Sequence, residues 1–306
     1  MEDSKVNEVS SAINPNLRPT FMAVQSGSVV GGDRLIVSDT NPNHRILGVN
    51  LTTPITKVLA TRGGGPGEFF FPSGIAIDPN TRNIFVVDTS NHRVQKFTPN
   101  FDPDPVKIWG SPGTDDGQFS FPKGIAIDSN GDVYVVDFGN HRIQKFDNDG
   151  VFLDKWGEFG TANGEFDSPI DIAVESDDDI VVTDRDNHRI QKFMSDSQFI
   201  RSWGKPGTGN GEFNNPLGIA VDSNDHNYVV DARNHRVQKS DVRGNFIKAW
   251  GFPGSGDGQF NEPDGITFNR LTGNLLVSDT GNRNIQIFTT DGMFRGKVLF
   301  GVISNQ

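Results

Sequence analysis

Aspartate, histidine and arginine recur together at short spacing in this sequence, and these residue types build charge-relay and metal-binding sites. The segment Asp88–Phe97 reads DTSNHRVQKF, and close copies begin at Asp137, Asp184 and Asp231. An imidazole beside a carboxylate can relay a proton, and three convergent imidazoles can hold zinc. A catalytic site, however, is a single asymmetric constellation, whereas this set is repeated along the chain. The repetition therefore favours a structural role.

The aspartate and the arginine of each copy flank a short turn. Such a turn leaves backbone N–H groups unpaired, so an aspartate before it can accept from them and the following arginine can pair with the carboxylate. We predict that four such pairs act as structural turn locks. They are Asp88 with Arg93, Asp137 with Arg142, Asp184 with Arg189, and Asp231 with Arg236.

The histidines and acidic turns provide little for a metal centre. Five of the six histidines belong to the repeated turn, and only His226 lies elsewhere, in an Asp-rich turn. Asp128–Asp132 is similar to the start of an EF-hand loop, but its twelfth position is Gly139 rather than the required glutamate. At the acidic turn Asp177–Asp179 only adventitious calcium is expected. We therefore predict no cofactor and no dedicated metal site.

The spacing of the repeated aspartates defines the organisation of the chain. With weaker copies at Asp39 and Asp279, six copies follow one another at intervals of 47 to 49 residues. A fixed period in this range is typical of repeat architectures.

One repeat is predicted to form four short strands. Residues 125–127 are apolar, Val133–Val136 is β-branched, Arg142–Phe146 alternates polar and apolar residues, and Phe152–Trp156 follows a third turn. Six such antiparallel units can bury their faces only against one another, which predicts an all-β, six-bladed β-propeller. Each blade is expected to be contiguous in sequence, so the ring would close by packing of blade 1 against blade 6 without a swapped strand.

Tryptophans mark the ends of the fourth strands at a constant interval of 47 residues. They are Trp109, Trp156, Trp203 and Trp250, and we expect Leu59 and Phe300 at the equivalent places of the outer copies. Each tryptophan is predicted to pack between neighbouring blades.

Composition agrees with many short strands and limits the partners. The chain has 35 glycines and 17 prolines but no cysteine, and its net charge is −11. An acidic chain repels nucleic acid and anionic membranes, so nucleic acid is a disfavoured partner and no membrane contact is expected. Residues 1–19 are predicted to be a disordered or loosely attached tail, and residues 20–306 a single domain that is monomeric, because closed propellers protect their strand edges.

The sequence contains no signal peptide and no apolar stretch long enough to span a bilayer. The compartment stays open between the cytoplasm and secretion with the leader removed.

The repeated residues resemble the NHL repeat. The pattern D-x-x-N-H-R-[IV]-Q-K-F, preceded by G-[EQ]-F-x-x-P-x-G-I-A-[IV]-D, extends over residues 21–300. The resemblance implies the six-bladed β-propeller of that family. Two copies depart from it: the sixth has Asn282-Arg283-Asn284, and the first has Leu47-Gly48 in place of Lys-Phe.

Residues that vary within the repeated frame are the candidates for recognition. If the Pro-x-Gly segment and the Asn-His-Arg turn share one rim, the candidate ligand-binding residues lie on that rim. They are Ser73, Lys123, Asp171, Asp264, Phe138, Arg185 and Arg233. The favoured function is a non-catalytic scaffold that binds a protein, peptide or other macromolecule there.

Two other functions stay open from the resemblance. RNA binding through a basic and aromatic patch, as in tripartite-motif relatives, could use Lys123, Arg185, Arg233 and Phe138. A metal-dependent lactonase or lyase with a site in the channel could use Asp171 and Asp264. The zinc histidines of amidating lyases are missing, and no calcium-lactonase ligand set is evident, so an enzyme is the less favoured interpretation.

Overall fold

The computed structural model describes residues 18–28, 32–51 and 56–298, which form six four-stranded antiparallel sheets, here called blades 1 to 6. Blade 1 contains β1 (Pro19–Ser28), β2 (Gly32–Asp39), β3 (Arg45–Asn50) and β4 (Thr56–Ala60); blade 2 contains β5 (Pro72–Ile77), β6 (Ile84–Asp88), β7 (Arg93–Phe97) and β8 (Lys107–Trp109). Blade 3 contains β9 (Ile125–Ile127), β10 (Val133–Asp137), β11 (Arg142–Phe146) and β12 (Phe152–Trp156); blade 4 contains β13 (Pro169–Val174), β14 (Ile180–Asp184), β15 (Arg189–Phe193) and β16 (Phe199–Trp203). Blade 5 contains β17 (Pro216–Val221), β18 (Asn227–Asp231), β19 (Arg236–Ser240) and β20 (Phe246–Trp250); blade 6 contains β21 (Pro263–Asn269), β22 (Asn274–Asp279), β23 (Asn284–Thr289) and β24 (Phe294–Val298).

The predicted six-bladed β-propeller is confirmed. The strands of each blade pair in chain order, and the first strand of every blade lines the central channel. A tail is predicted for residues 1–19. Residues 1–17 lie outside the described residues, and Pro19 already belongs to β1. No helix in the described ranges is both long and apolar enough to cross a membrane.

The start of each first strand lies beside the end of the second. Pro72 pairs with Asp88, and Pro169 pairs with Asp184. The linkers between blades therefore reach the same face as the Asn-His-Arg turns, which we call the upper face. The turns between first and second strands, such as residues 128–132, lie on the opposite, lower face.

The tryptophans pack between blades, as predicted. The ring of Trp109 lies 6.0 Å from Phe85 of its own blade and 6.0 Å from Phe146 of the next. It also covers Gly150 of the next blade, where a β-carbon would lie 2.6 Å from the indole ring.

The assignment of Leu59 to the tryptophan position was wrong by one residue. Ala60 pairs with Ile46 as Trp109 pairs with Val94. Phe300 lies outside the described residues, and Val298 has the corresponding pairing in blade 6.

Within the described residues, the ring closes without a swapped strand, as expected. Ser278 Oγ donates to the carbonyl oxygen of Thr20 at 2.7 Å, and Thr280 Oγ1 donates to that of Pro19 at 2.6 Å. Apolar side chains of both blades form one buried cluster in this interface; among them are Met22, Leu35, Val37, Leu47, Leu276 and Ile285. Contacts between side chains and backbone therefore hold blade 6 against blade 1.

Candidate functional site

Each repeated aspartate is the centre of a hydrogen-bond network on the upper face. The fully buried Asp137 accepts from Ser120 N at 2.7 Å and from the Asn140 amide at 2.9 Å. Arg142 Nε donates to it at 2.8 Å, and Gln144 Nε2 donates at 3.1 Å. Asp88, Asp184 and Asp231 have the same four kinds of partner.

The predicted aspartate–arginine pairs are therefore present, but one detail of the turn lock was wrong. The carboxylate accepts no backbone N–H of its own turn. Its backbone donor comes from the linker, 17 residues earlier for Asp137 and Asp184. The aspartate thus joins the turn to the linker that precedes the blade.

Arginine and asparagine extend this network to the linker carbonyls. The Arg142 guanidinium donates to the carbonyl oxygens of Thr114, Asp115 and Gln118 at 2.8 to 3.0 Å. The Asn140 amide donates to that of Gly113 at 2.9 Å. The Asn and Arg of the motif are therefore used in building the blade.

The repeated histidine joins one blade to the next. His44 Nδ1 accepts the backbone N–H of Phe71 at 3.1 Å, and His141 and His188 accept from the equivalent residues of the following blades. His92 Nδ1 lies 3.1 Å from the Phe121 nitrogen and 3.2 Å from the carbonyl oxygen of Phe119. An imidazole that accepts at Nδ1 must be neutral, with its proton on Nε2. These histidines are therefore structural bridges rather than free metal ligands.

The bridge at His44 predicts a loss of stability in acid. Burial lowers the pKa of the His44 imidazole and Arg62 lowers it further, while Asp39 opposes them. The His44 imidazole therefore takes up a proton more readily in the unfolded chain than in the folded protein. The stability that the neutral imidazole provides is fully present above about pH 6.5 and is lost as the pH falls through the pKa of His44 in the folded protein. Between about pH 7.5 and pH 5, the melting temperature measured by circular dichroism should fall more for the wild type than for His44→Leu. The same pH dependence in both proteins would show that His44 does not carry this effect.

Two of the predicted rim residues are used in holding the blades together. Ser73 is buried, and its hydroxyl lies 2.7 Å from Thr89 Oγ1 and donates to the carbonyl oxygen of Lys123 at 2.9 Å. Asp171 is 8% exposed, and its Oδ2 accepts the N–H of Ile219 at 3.0 Å. Burial raises the pKa of Asp171 to about 7, against the effect of its backbone hydrogen bonds.

Lys123 and Asp264 face the mouth of the channel from opposite blades. Burial lowers the pKa of Lys123, and Asp264 opposes this shift. Burial raises the pKa of Asp264 to about 6, and Lys123 opposes that shift. The two side chains therefore interact electrostatically, although no ion pair within 4.0 Å joins them in the described structure. A cleft of about 740 Å³ on the upper face is lined by Asp264, with Arg233 exposed on its wall.

Aromatic side chains lie near the upper-face turns of blades 2 and 3. This aromatic patch consists of Phe121, Phe138 and Phe159, with Arg185 of blade 4, and Phe121 packs against His92 of the blade 2 turn. The Arg185 guanidinium lies 5.3 Å from the centre of the Phe138 ring, and Phe159 packs edge-on against His141. Phe121 is 49% exposed and Phe159 is 68% exposed. Sequence reasoning found Phe138 and Arg185 but missed the other two, which lie in linkers. No sequence signal distinguishes these two, because Phe119 and Phe166 lie in the same linkers and are fully buried.

The acidic turn on the lower face forms ion pairs with a lysine side chain of the same blade. Carboxylate oxygens of Glu175, Asp177 and Asp179 lie within 4.8 Å of one another. The Lys192 ammonium lies 2.5 Å from Glu175 and 2.9 Å from Asp179. Because this lysine compensates the two carboxylates it contacts, the cluster does not require a metal ion.

Comparisons with known proteins agree with this fold. The family described as NHL repeat matches residues 69–97, 119–146, 166–193 and 213–239. No curated protein matches the chain.

Many solved structures share the architecture at low identity. Virginiamycin B lyase from Staphylococcus aureus is 17% identical with a TM-score of 0.64, over 93% of this chain and 85% of that one. A chain of a nidogen/laminin complex is 17% identical with a TM-score of 0.66, over 88% and 93%. A gluconolactonase from Xanthomonas campestris is 15% identical with a TM-score of 0.58, over 96% and 90%. At this identity the likeness shows the fold alone, which in these three proteins accompanies both binding and catalysis.

Proposed function

This chain belongs to the NHL-repeat family, and from that premise we propose that it is a non-catalytic scaffold that binds a protein segment on its upper face. The observation that carries the proposal is the aromatic patch. Of the large hydrophobic side chains exposed in the described residues, the three phenylalanines, Phe121, Phe159 and Phe252, all lie on upper-face linkers. Phe121 packs against His92 of the blade 2 turn, and Phe159 packs against His141 of the neighbouring blade 3 turn. Exposed aromatic side chains beside an arginine are typical of the centres of protein interfaces.

The motif itself supports a scaffold, because its constant residues have structural roles. Asn140 and Arg142 bind the linker, and Gln144 Oε1 accepts the N–H of Gly117 at 2.9 Å. Lys145 donates to the carbonyl oxygen of Ser195 in the next blade at 3.3 Å. Specificity is therefore left to the residues that vary between blades.

A protein partner fits the charges better than RNA does. Asp186 accepts from Arg185 at 2.9 and 2.8 Å, so this guanidinium is already neutralised by a carboxylate. The chain as a whole carries a net charge of −11, which disfavours a phosphate backbone. A lactonase-type site has less support, because one carboxylate oxygen of Asp171 is occupied by a backbone N–H.

The aromatic patch can be tested with a matched control on the same face. A photo-crosslinking residue at position 159 should capture a protein partner in an extract of the source organism. Phe121→Ala with Phe159→Ala should weaken binding of that partner about tenfold or more, with little change in melting temperature. Phe252→Ala removes a phenylalanine of similar exposure, 56%, outside the patch and should leave affinity unchanged.

Three results would contradict the proposal. The first is capture of no protein, and the second is equal loss of affinity in Phe252→Ala and in the double variant. The third is salt-dependent binding of RNA to the patch without a protein partner, which would favour nucleic-acid recognition instead.

A further inference from the structure

Lys123 and Asp264 occupy the same position of the repeat in blades 3 and 6, which face each other across the channel. Each is the residue between the proline and the glycine at the start of the first strand. Both side chains are half-buried. In the described part of the chain, no hydrogen bond reaches the Lys123 ammonium or the Asp264 carboxylate.

Half-buried charged groups without a hydrogen-bond partner are unusual, both in general and in this protein. Burial of a charge is unfavourable unless a partner compensates it, so buried ionic groups are normally paired. The repeated lysines follow that rule, since Lys96 and Lys192 donate to oxygen atoms at 2.7 and 2.5 Å. The opposed charges of Lys123 and Asp264 are therefore positioned for groups outside the chain.

The space beside Asp264 can hold a small molecule. Asp264, Thr20 and Leu217 line the cleft of about 740 Å³. The hydroxyl group of Thr20 is already bonded to Thr40 Oγ1 at 2.6 Å, and that of Thr280 to the protein backbone, whereas the Asp264 carboxylate has no hydrogen-bond partner among the described residues.

The channel below the cleft is lined by the first strands of all six blades and encloses about 390 Å³. Four charged side chains, Asp78, Arg82, Asp171 and Arg270, also line it. A ligand held at the mouth would therefore meet groups of both charges.

We propose that the channel mouth binds a small zwitterion of the amino-acid class, with its ammonium group on Asp264 and its carboxylate on Lys123. A simple cation would be repelled by Lys123, and a simple anion by Asp264, so the mixed site matches a molecule that carries both charges. This proposal concerns a different site from the aromatic patch and does not depend on it.

The test uses the full chain and the twenty common amino acids as probes. Isothermal titration calorimetry should find an amino acid, such as leucine, that binds with a Kd of about 1 mM or tighter. Leucine amide lacks the carboxylate, and 4-methylpentanoate lacks the ammonium group. Each should bind about tenfold more weakly or worse.

Variants assign the two contacts. Asp264→Asn and Lys123→Met should each weaken binding of the amino acid about tenfold or more. The controls Asp104→Asn and Lys107→Met change exposed residues and should bind as the wild type does. The proposal is wrong if none of the twenty amino acids binds at up to about 10 mM, or if the two analogues bind as well as leucine. The proposal is equally wrong if Asp264→Asn and Lys123→Met fold and retain wild-type affinity for the amino acid. Loss of partner binding at the aromatic patch would leave the proposal intact.

Discussion

Asp137→Ala should lower the free energy of unfolding by about 3–5 kcal/mol, because it removes one partner of a buried ion pair and leaves the other charge uncompensated. The carboxylate accepts four hydrogen bonds, from Ser120, Asn140, Arg142 and Gln144, and alanine can replace none of them. Blades share their interfaces, so the ring as a whole should melt at lower temperature rather than one turn opening alone. Urea denaturation followed by circular dichroism measures the change.

Two variants control for this result. Asp104→Ala removes an exposed aspartate and should change stability by no more than about 0.5 kcal/mol. Asp137→Asn keeps an acceptor but removes the charge, so its loss should be intermediate. If Asp137→Ala is as stable as the wild type but no longer binds a partner, the repeated aspartates are functional and their assignment as turn locks is wrong.

Leu276→Ala should destabilise the protein by about 2–5 kcal/mol and should do so at the ring closure. Leu276 is buried among Met22, Leu35 and Val37 of blade 1, and none of the described strands crosses from one blade into the other there. Hydrogen exchange should show that β1 and β2 lose protection before the other blades do.

Leu275→Ala is the matched control, because its side chain is buried on the other face of the same strand, between blades 5 and 6. Leu275→Ala should lose about as much stability as Leu276→Ala. In Leu275→Ala, however, the strands of blades 5 and 6 should be the first to lose protection from hydrogen exchange. Uniform exchange in both variants would show that the closure is no weaker than the other interfaces.

The fold was predictable because each repeat carries its own local signals. β-branched runs, polar turns and the regular tryptophans specify four strands per repeat without knowledge of any distant contact. The one misplaced position, Leu59, was chosen for its hydrophobicity. Pairing register decides that position instead, and a β-bulge beside Ile46 brings Ala60 opposite it.

The candidate site was predictable only in part, since its chemistry depends on neighbours about 50 residues away. Ser73 and Asp171 looked variable and polar, yet their oxygen atoms bind the next blade. The histidine bridge was missed for the same reason, because its donor lies 27 residues away in another linker for His44 and His141. Lys123 and Asp264 have no such partner, and sequence reasoning identified both.

The contiguous blades also bear on how such a chain can change in length. Because one repeat of the gene encodes one complete sheet, unequal recombination between two near-identical motifs would insert or delete an entire sheet and leave its neighbours intact. The six copies in this chain carry different residues at equivalent upper-face positions, such as Lys123 and Asp264, so whole-repeat exchange would also shuffle ready-made binding surfaces. Descendants with another number of sheets would then have a channel of different width, with a different set of residues at its mouth.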